Sequence, residues 1–153
     1  MSCTRLSFSL ALLFLVLLPP ASAAQTAGEK AEGPPPGNMQ IVPGYQHRRL
    51  QGIDTSVGEI LKGDRVVIRY DIGRLAGLHV TPEDKARCKH YEEKRISGQT
   101  ARYCFRDHEL TATFVQTSAN FYATPADDAE LNDVLIMLDS YRPYRVIPKE
   151  PKP

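Results

Sequence analysis

Between Ala101 and Thr124 the chain fits three short runs of β type into 24 residues: ARYCFR at 101–106, ELTATFV at 109–115 and ANFYAT at 119–124. All three are rich in aromatic and β-branched residues, and the intervening RDHE and QTS read as tight turns. Links this short leave no room for a crossover helix, so the runs must form an antiparallel meander. Upstream, RVVIRYDI at 65–72 puts Val66, Ile68, Tyr70 and Ile72 on one face and Arg65, Val67, Arg69 and Asp71 on the other. That period of two predicts a strand buried on one side. TSVGEIL at 55–61, followed by the turn residues KGD, is its expected hairpin partner.

Two helix starts share one design. TPED at 81–84 and TPAD at 124–127 each offer Thr as N-cap, Pro at the first helical position and an acid at the third. The second is expected to open the longer helix, in which Leu131, Val134, Leu135, Leu138 and Tyr141 recur at helical spacing up to Pro143. Asp127, Asp128, Glu130, Asp133 and Asp139 fall on the predicted outer face. The first should run from about Pro82 to His90 and hand over to a charged strand, YEEKRI, with a turn at SGQT. The predicted fold class is α+β: a two-layer sandwich, with an antiparallel meander of five or six strands covered by a C-terminal helix, plus one short helix.

The ends carry a different composition. Arg5 precedes the 13-residue apolar run Leu6–Leu18, then Pro19, Pro20 and ASAA. This is the layout of a signal peptide cleaved after Ala23, and the run is too short for a spanning helix of about 20 residues. Domain boundaries follow: 1–23 signal peptide, 24–44 a Pro/Gly-rich tether, 45–142 a single α+β domain and 143–153 a Pro-rich tail. The expected location is periplasmic or secreted, with no transmembrane segment after signal removal. Without Arg5 the chain holds 18 basic and 18 acidic residues, a balance that gives no reason to expect nucleic acid as a partner.

Signal removal also takes Cys3, leaving Cys88 and Cys104 in a chain bound for an oxidising space. A structural disulfide between them is the expected state. With a two-residue Ser97-Gly98 turn Tyr91 would face Cys104, and with a four-residue SGQT turn Glu93 would; in neither register does Cys88. The bond should therefore join the short helix to the hairpin rather than two ladder partners. Two alternatives use the same residues. A metal site would combine Cys88, His90, Cys104 and His108, although a one-residue C-x-H gap is tighter than zinc ligand spacings prefer. A redox pair would favour C-x-x-C, whereas 15 residues intervene here.

Other catalytic signatures are missing. No G-x-S-x-G elbow or phosphate-binding loop occurs, and His108-Glu109 lacks the second histidine of a zinc-protease helix. Gly73 and Gly77 in DIGRLAG read as a strand end turning into a loop. Glu92 and Glu93, as strand neighbours, point to opposite faces, and Asp127 and Asp128 suit a helix N-terminus, so neither pair reads as an acid/base couple. Arg102 and Arg106 alternate with Cys104 onto one face and, with Arg95, form a candidate basic strip. The functional expectation is a non-enzymatic binding or accessory module of the cell envelope, needing no cofactor. Its partner would be an anionic envelope component or a protein. The alternatives are a metal-binding or thiol-redox protein built on the Cys/His cluster, and an inhibitor or immunity-type protein that binds a secreted partner.

Overall fold

The computed structural model describes residues 33–143; the expected signal peptide and nearly all of the Pro-rich tail lie outside them. The sheet has seven strands: β1 (Tyr45–Arg49), β2 (Ser56–Lys62), β3 (Arg65–Ile72), β4 (His90–Ile96), β5 (Gln99–Arg106), β6 (Glu109–Phe114) and β7 (Ala119–Ala123). All pairings are antiparallel, in the order β1-β2-β3-β7-β6-β5-β4. Two meanders thus meet where β3 pairs with β7. The one α-helix among the described residues, α1 (Asp128–Asp139), follows β7 and covers one face.

The α+β architecture agrees with the sequence, with one or two strands more than expected. The meander turns are as tight as predicted. Ile96 faces Gln99 across Ser97 and Gly98, both at positive φ, which makes a two-residue hairpin turn. The same register puts Tyr91 opposite Cys104.

Packing under α1 is aromatic. Phe114, Phe121 and Tyr141 contact one another at ring-centroid distances of 4.7 to 5.6 Å, beside the buried Tyr103, Met137 and Leu138. The helix starts three residues later than TPAD suggested, because Asp127 rather than Thr124 caps it by accepting from the Glu130 N–H. Glu130 is not on the outer face: its side chain is buried, bridged to Arg65 and lying 3.7 Å from Lys62 Nζ, both at the β2–β3 turn. Burial alone would push its carboxyl up, but Arg65, the Ala126 N–H and Lys62 together outweigh it and hold it below the usual range. Asp133 and Asp139 likewise serve the sheet, bonding the Tyr45 and Tyr103 hydroxyls.

Composition placed residues 24–44 in a tether, yet much of the described stretch packs on the domain. Met39 is buried in the core, with Ile41 and Val42 against it. Gln40 N–H bonds Ser140 Oγ at 2.8 Å, and Arg142 N–H bonds the Gly37 carbonyl at 2.9 Å, so the segment lies beside α1. Gly37, at φ +56°, is needed there, since a Cβ would sit 2.4 Å from the Tyr141 ring. Gly58 has a similar role inside β2: a Cβ would lie 2.2 Å from Tyr70 Oη, which passes over it to reach His47.

The long β3–β4 connection crosses the face opposite α1. Its backbone has little regular structure, so its polar groups need partners. Thr113 and Asn120, fully buried in neighbouring strands, supply them. The His79 N–H bonds Asn120 Oδ1 at 3.2 Å, the Val80 N–H bonds Thr113 Oγ1 at 3.0 Å, and Asn120 donates to the Gly77 carbonyl. Within this connection TPED caps as expected, with the Asp84 carboxylate accepting from the Thr81 N–H and hydroxyl. The result is a 3-10 turn over Pro82–Arg87, shorter than the helix to His90 that the sequence suggested. None of its residues is buried, so no apolar face exists to extend it.

Candidate functional site

Cys88 follows directly on the Pro82–Arg87 turn and is bonded to Cys104, with the two Cα atoms 5.3 Å apart. The disulfide therefore fastens the end of the crossover to β5, as the hairpin register required. It does not gather the two histidines. His90 pairs with Phe105, the strand neighbour of Cys104, and so projects from the other face, where its ring lies 5.5 Å from that of Phe105. His108 sits in the exposed two-residue turn between β5 and β6. Among the described residues, no three His, Cys, Asp or Glu side chains converge as metal ligands would.

Arg102, Cys104 and Arg106 share one face, as their alternation predicted. Arg102, its side chain only 15% exposed, donates from Nε to Glu93 at 2.8 Å and holds that carboxyl below its usual range. Arg106 lies 3.7 Å from Asp84 Oδ1 on the stapled turn. Arg95 is different: it bonds the Gly98 carbonyl and Thr100 Oγ1 of its own hairpin and meets no carboxylate among the described residues. Of the three arginines, two are thus neutralised within the domain and one keeps its charge for solvent.

The open chemistry gathers at one end of the sheet. The β1–β2 loop (50–55), the start of the crossover (73–78), the β4–β5 turn and the β6–β7 turn all emerge there. Gly73 joins three of them: its N–H bonds the Ser118 carbonyl, and a Cβ at its position would lie 3.4 Å from Thr55 Cγ2. Among the described residues, four of the five exposed large aliphatic residues sit on the first two loops: Leu50, Ile53, Leu75 and Leu78, with Ile53 100% and Leu75 67% exposed. Arg49, Arg74, Arg95 and Arg142 stand at the same end of the sheet without a carboxylate partner among the described residues, and Asp54 is the one acid in these loops. A concavity of about 390 Å³ opens at the same end, lined by Ile72, Thr117, Tyr141 and Pro36 among others.

The other end has the opposite character. Asp64, Asp107, Glu109, Asp127 and Asp128 cluster in its turns and at the start of α1, with no ion pair to Lys or Arg among the described residues. A chain of nearly zero net charge is therefore polarised along its strands. Sequence patterning missed the loop end because Ile53, Leu75 and Leu78 belong to no periodic run. The one available signal was isolated aliphatic residues beside glycines, in QGID and GRLAGL.

Comparison with protein-family models, with curated proteins and with solved structures returned no match, so the functional argument rests on this geometry.

Proposed function

We propose that this protein is an exported, non-enzymatic binding module of the cell envelope that engages its partner through the loop end of the sheet. The observation that carries this reading is the convergence of Leu50, Ile53, Leu75 and Leu78 on two touching loops. Single exposed aliphatic residues are ordinary, but a group of them on loops held by a rigid sheet is the arrangement of an interaction surface. The apolar leader Leu6–Leu18 and the Cys88–Cys104 bond support a periplasmic or secreted location. Arg95, with its charge uncompensated, supports an anionic element in the partner. Arg102 and Arg106 act inside the domain, where Glu93 and Asp84 hold them.

Co-sedimentation of the purified mature chain with a cell-envelope fraction tests the reading. The wild type should pellet with the envelope, and Ile53→Asp combined with Leu75→Asp should leave most of it in solution. Both side chains face solvent, so the substitutions leave the core intact. A wild type that stays in solution, or a double variant that pellets equally well, refutes the proposal.

A further inference from the structure

We infer that the loop end binds the surface of an anionic phospholipid bilayer, with aliphatic tips entering the interface and arginines meeting the phosphates. The inference rests on the preceding reading and names its partner.

The tips come first. Ile53 is the most exposed large aliphatic side chain among the described residues, and Leu75, the next, stands on the adjoining loop. A protein groove would need a shaped surface that packs around such residues, whereas a bilayer interface accepts separate aliphatic tips without matching their shape. The charges make the second argument. Arg49 ends β1, Arg74 stands next to Leu75, Arg95 closes the β4–β5 hairpin and Arg142 follows α1; none is paired with a carboxylate among the described residues. Guanidinium groups suit phosphate oxygens because their N–H donors form a planar fork.

The far end completes the case. Asp64, Asp107, Glu109, Asp127 and Asp128 lie at the opposite pole, and Lys85 and Lys89 beside them also have no ion pair among the described residues, which leaves acids in excess there. An anionic surface attracts one pole and repels the other, so the domain approaches with Ile53 and Leu75 leading. Its own helices are no route through a bilayer, since none among the described residues is long and apolar enough to cross one. The contact is made on the surface, and its strength depends on both area and charge.

Vesicle sedimentation tests this directly, using phosphatidylcholine vesicles with and without phosphatidylglycerol. The mature chain should bind only the phosphatidylglycerol vesicles, and binding should fall steeply as salt rises from roughly 50 mM to 500 mM, over which the screening length contracts several-fold. Ile53→Asp with Leu75→Asp should weaken partitioning by about tenfold or more, because aliphatic burial is lost and two negative charges face the surface. Arg49→Gln with Arg74→Gln should weaken it and flatten the salt dependence. Ile136→Asp, an exposed site on α1, should change nothing, and all variants should melt like the wild type. Absence of binding to phosphatidylglycerol vesicles overturns the inference, as does binding that survives the tip substitutions or falls equally with Ile136→Asp. If vesicles fail while envelope sedimentation remains tip-dependent, the lipid inference falls and the binding-module reading stands. If both fail, both fall.

Discussion

Reducing Cys88–Cys104 should loosen the crossover before it unfolds the sheet. The bond closes a loop with a sequence separation of 16. In the chain-entropy model, opening such a loop costs about 3 kcal/mol. For a domain of this size that corresponds to roughly 10–15 °C in melting temperature, at about 4 °C per kcal/mol. The fold should survive, because other contacts still hold the crossover. Val80 is buried against the sheet, a contribution on the order of 2 kcal/mol. Its N–H remains bonded to Thr113, and Arg106 remains near Asp84. Calorimetric melting with and without reductant, paired with a free-thiol count, reads the global effect; amide exchange reads the local one. The Val80 and Lys89 amides should exchange faster on reduction, since they lie on either side of the bond's anchor, while amides of the β6–β7 ladder stay protected. Cys88→Ala with Cys104→Ala should reproduce the reduced melting curve. A shift below about 2 °C once both thiols are titratable would refute the reasoning, because the bond would then close no costly loop. Loss of protection across all strands at once would refute its local part.

Gly58→Ala should destabilise the domain by about 1–3 kcal/mol, the range for overpacking, because its methyl group would displace Tyr70 Oη from His47. Chemical denaturation measures it, and a loss below about 0.5 kcal/mol would show that Tyr70 can move freely. His47 adds a pH dependence. Its Nδ1 faces the Gly33 carbonyl at 2.9 Å and so carries the proton, leaving Nε2 to accept from the Tyr70 hydroxyl at 2.8 Å. Burial first, and nearby Arg49 after it, push the imidazole below its usual 6.5, outweighing the Gly33 bond that favours the charged form. The unfolded chain takes up this proton more readily, so the contribution is complete above pH 6.5 and is lost as pH falls through the lower folded value. Glu130, also held low, repeats this loss in a more acidic window, below its ordinary 4.5. Melting temperature against pH should therefore decline in two stages, and His47→Gln should remove the first alone; a single decline below pH 4.5 in the wild type would contradict the assignment.

The features legible in the sequence were those with a local cause. Period-two alternation located β3, and two short links fixed the meander. The Ser97-Gly98 register showed that Cys88 must reach Cys104 from outside the ladder. What escaped depends on partners distant in the chain. Residues 36–42 look like tether because they lie within the Pro/Gly-rich stretch 28–44, yet Met39, Ile41 and Val42 find a groove beside α1 that exists only after folding. Glu130 looks like a solvated acid until the β2–β3 turn brings Arg65 and Lys62 over it. The basic strip was visible as alternation, but Glu93 and Asp84, which neutralise it, come from a neighbouring strand and a crossover turn. The loop end required the most: residues 50–55 and 73–78 become neighbours only through the pairing of β2 with β3.

The central claim is that the loop end, rather than the acidic end or the open sheet face, meets the partner. A photo-reactive amino acid placed at position 53 or 75, and as controls at 64 or 107, tests it in cells that export the protein. Crosslinked envelope products are expected from positions 53 and 75 and none from 64 and 107. Crosslinks from 64 or 107, or silence at 53 and 75, would contradict it.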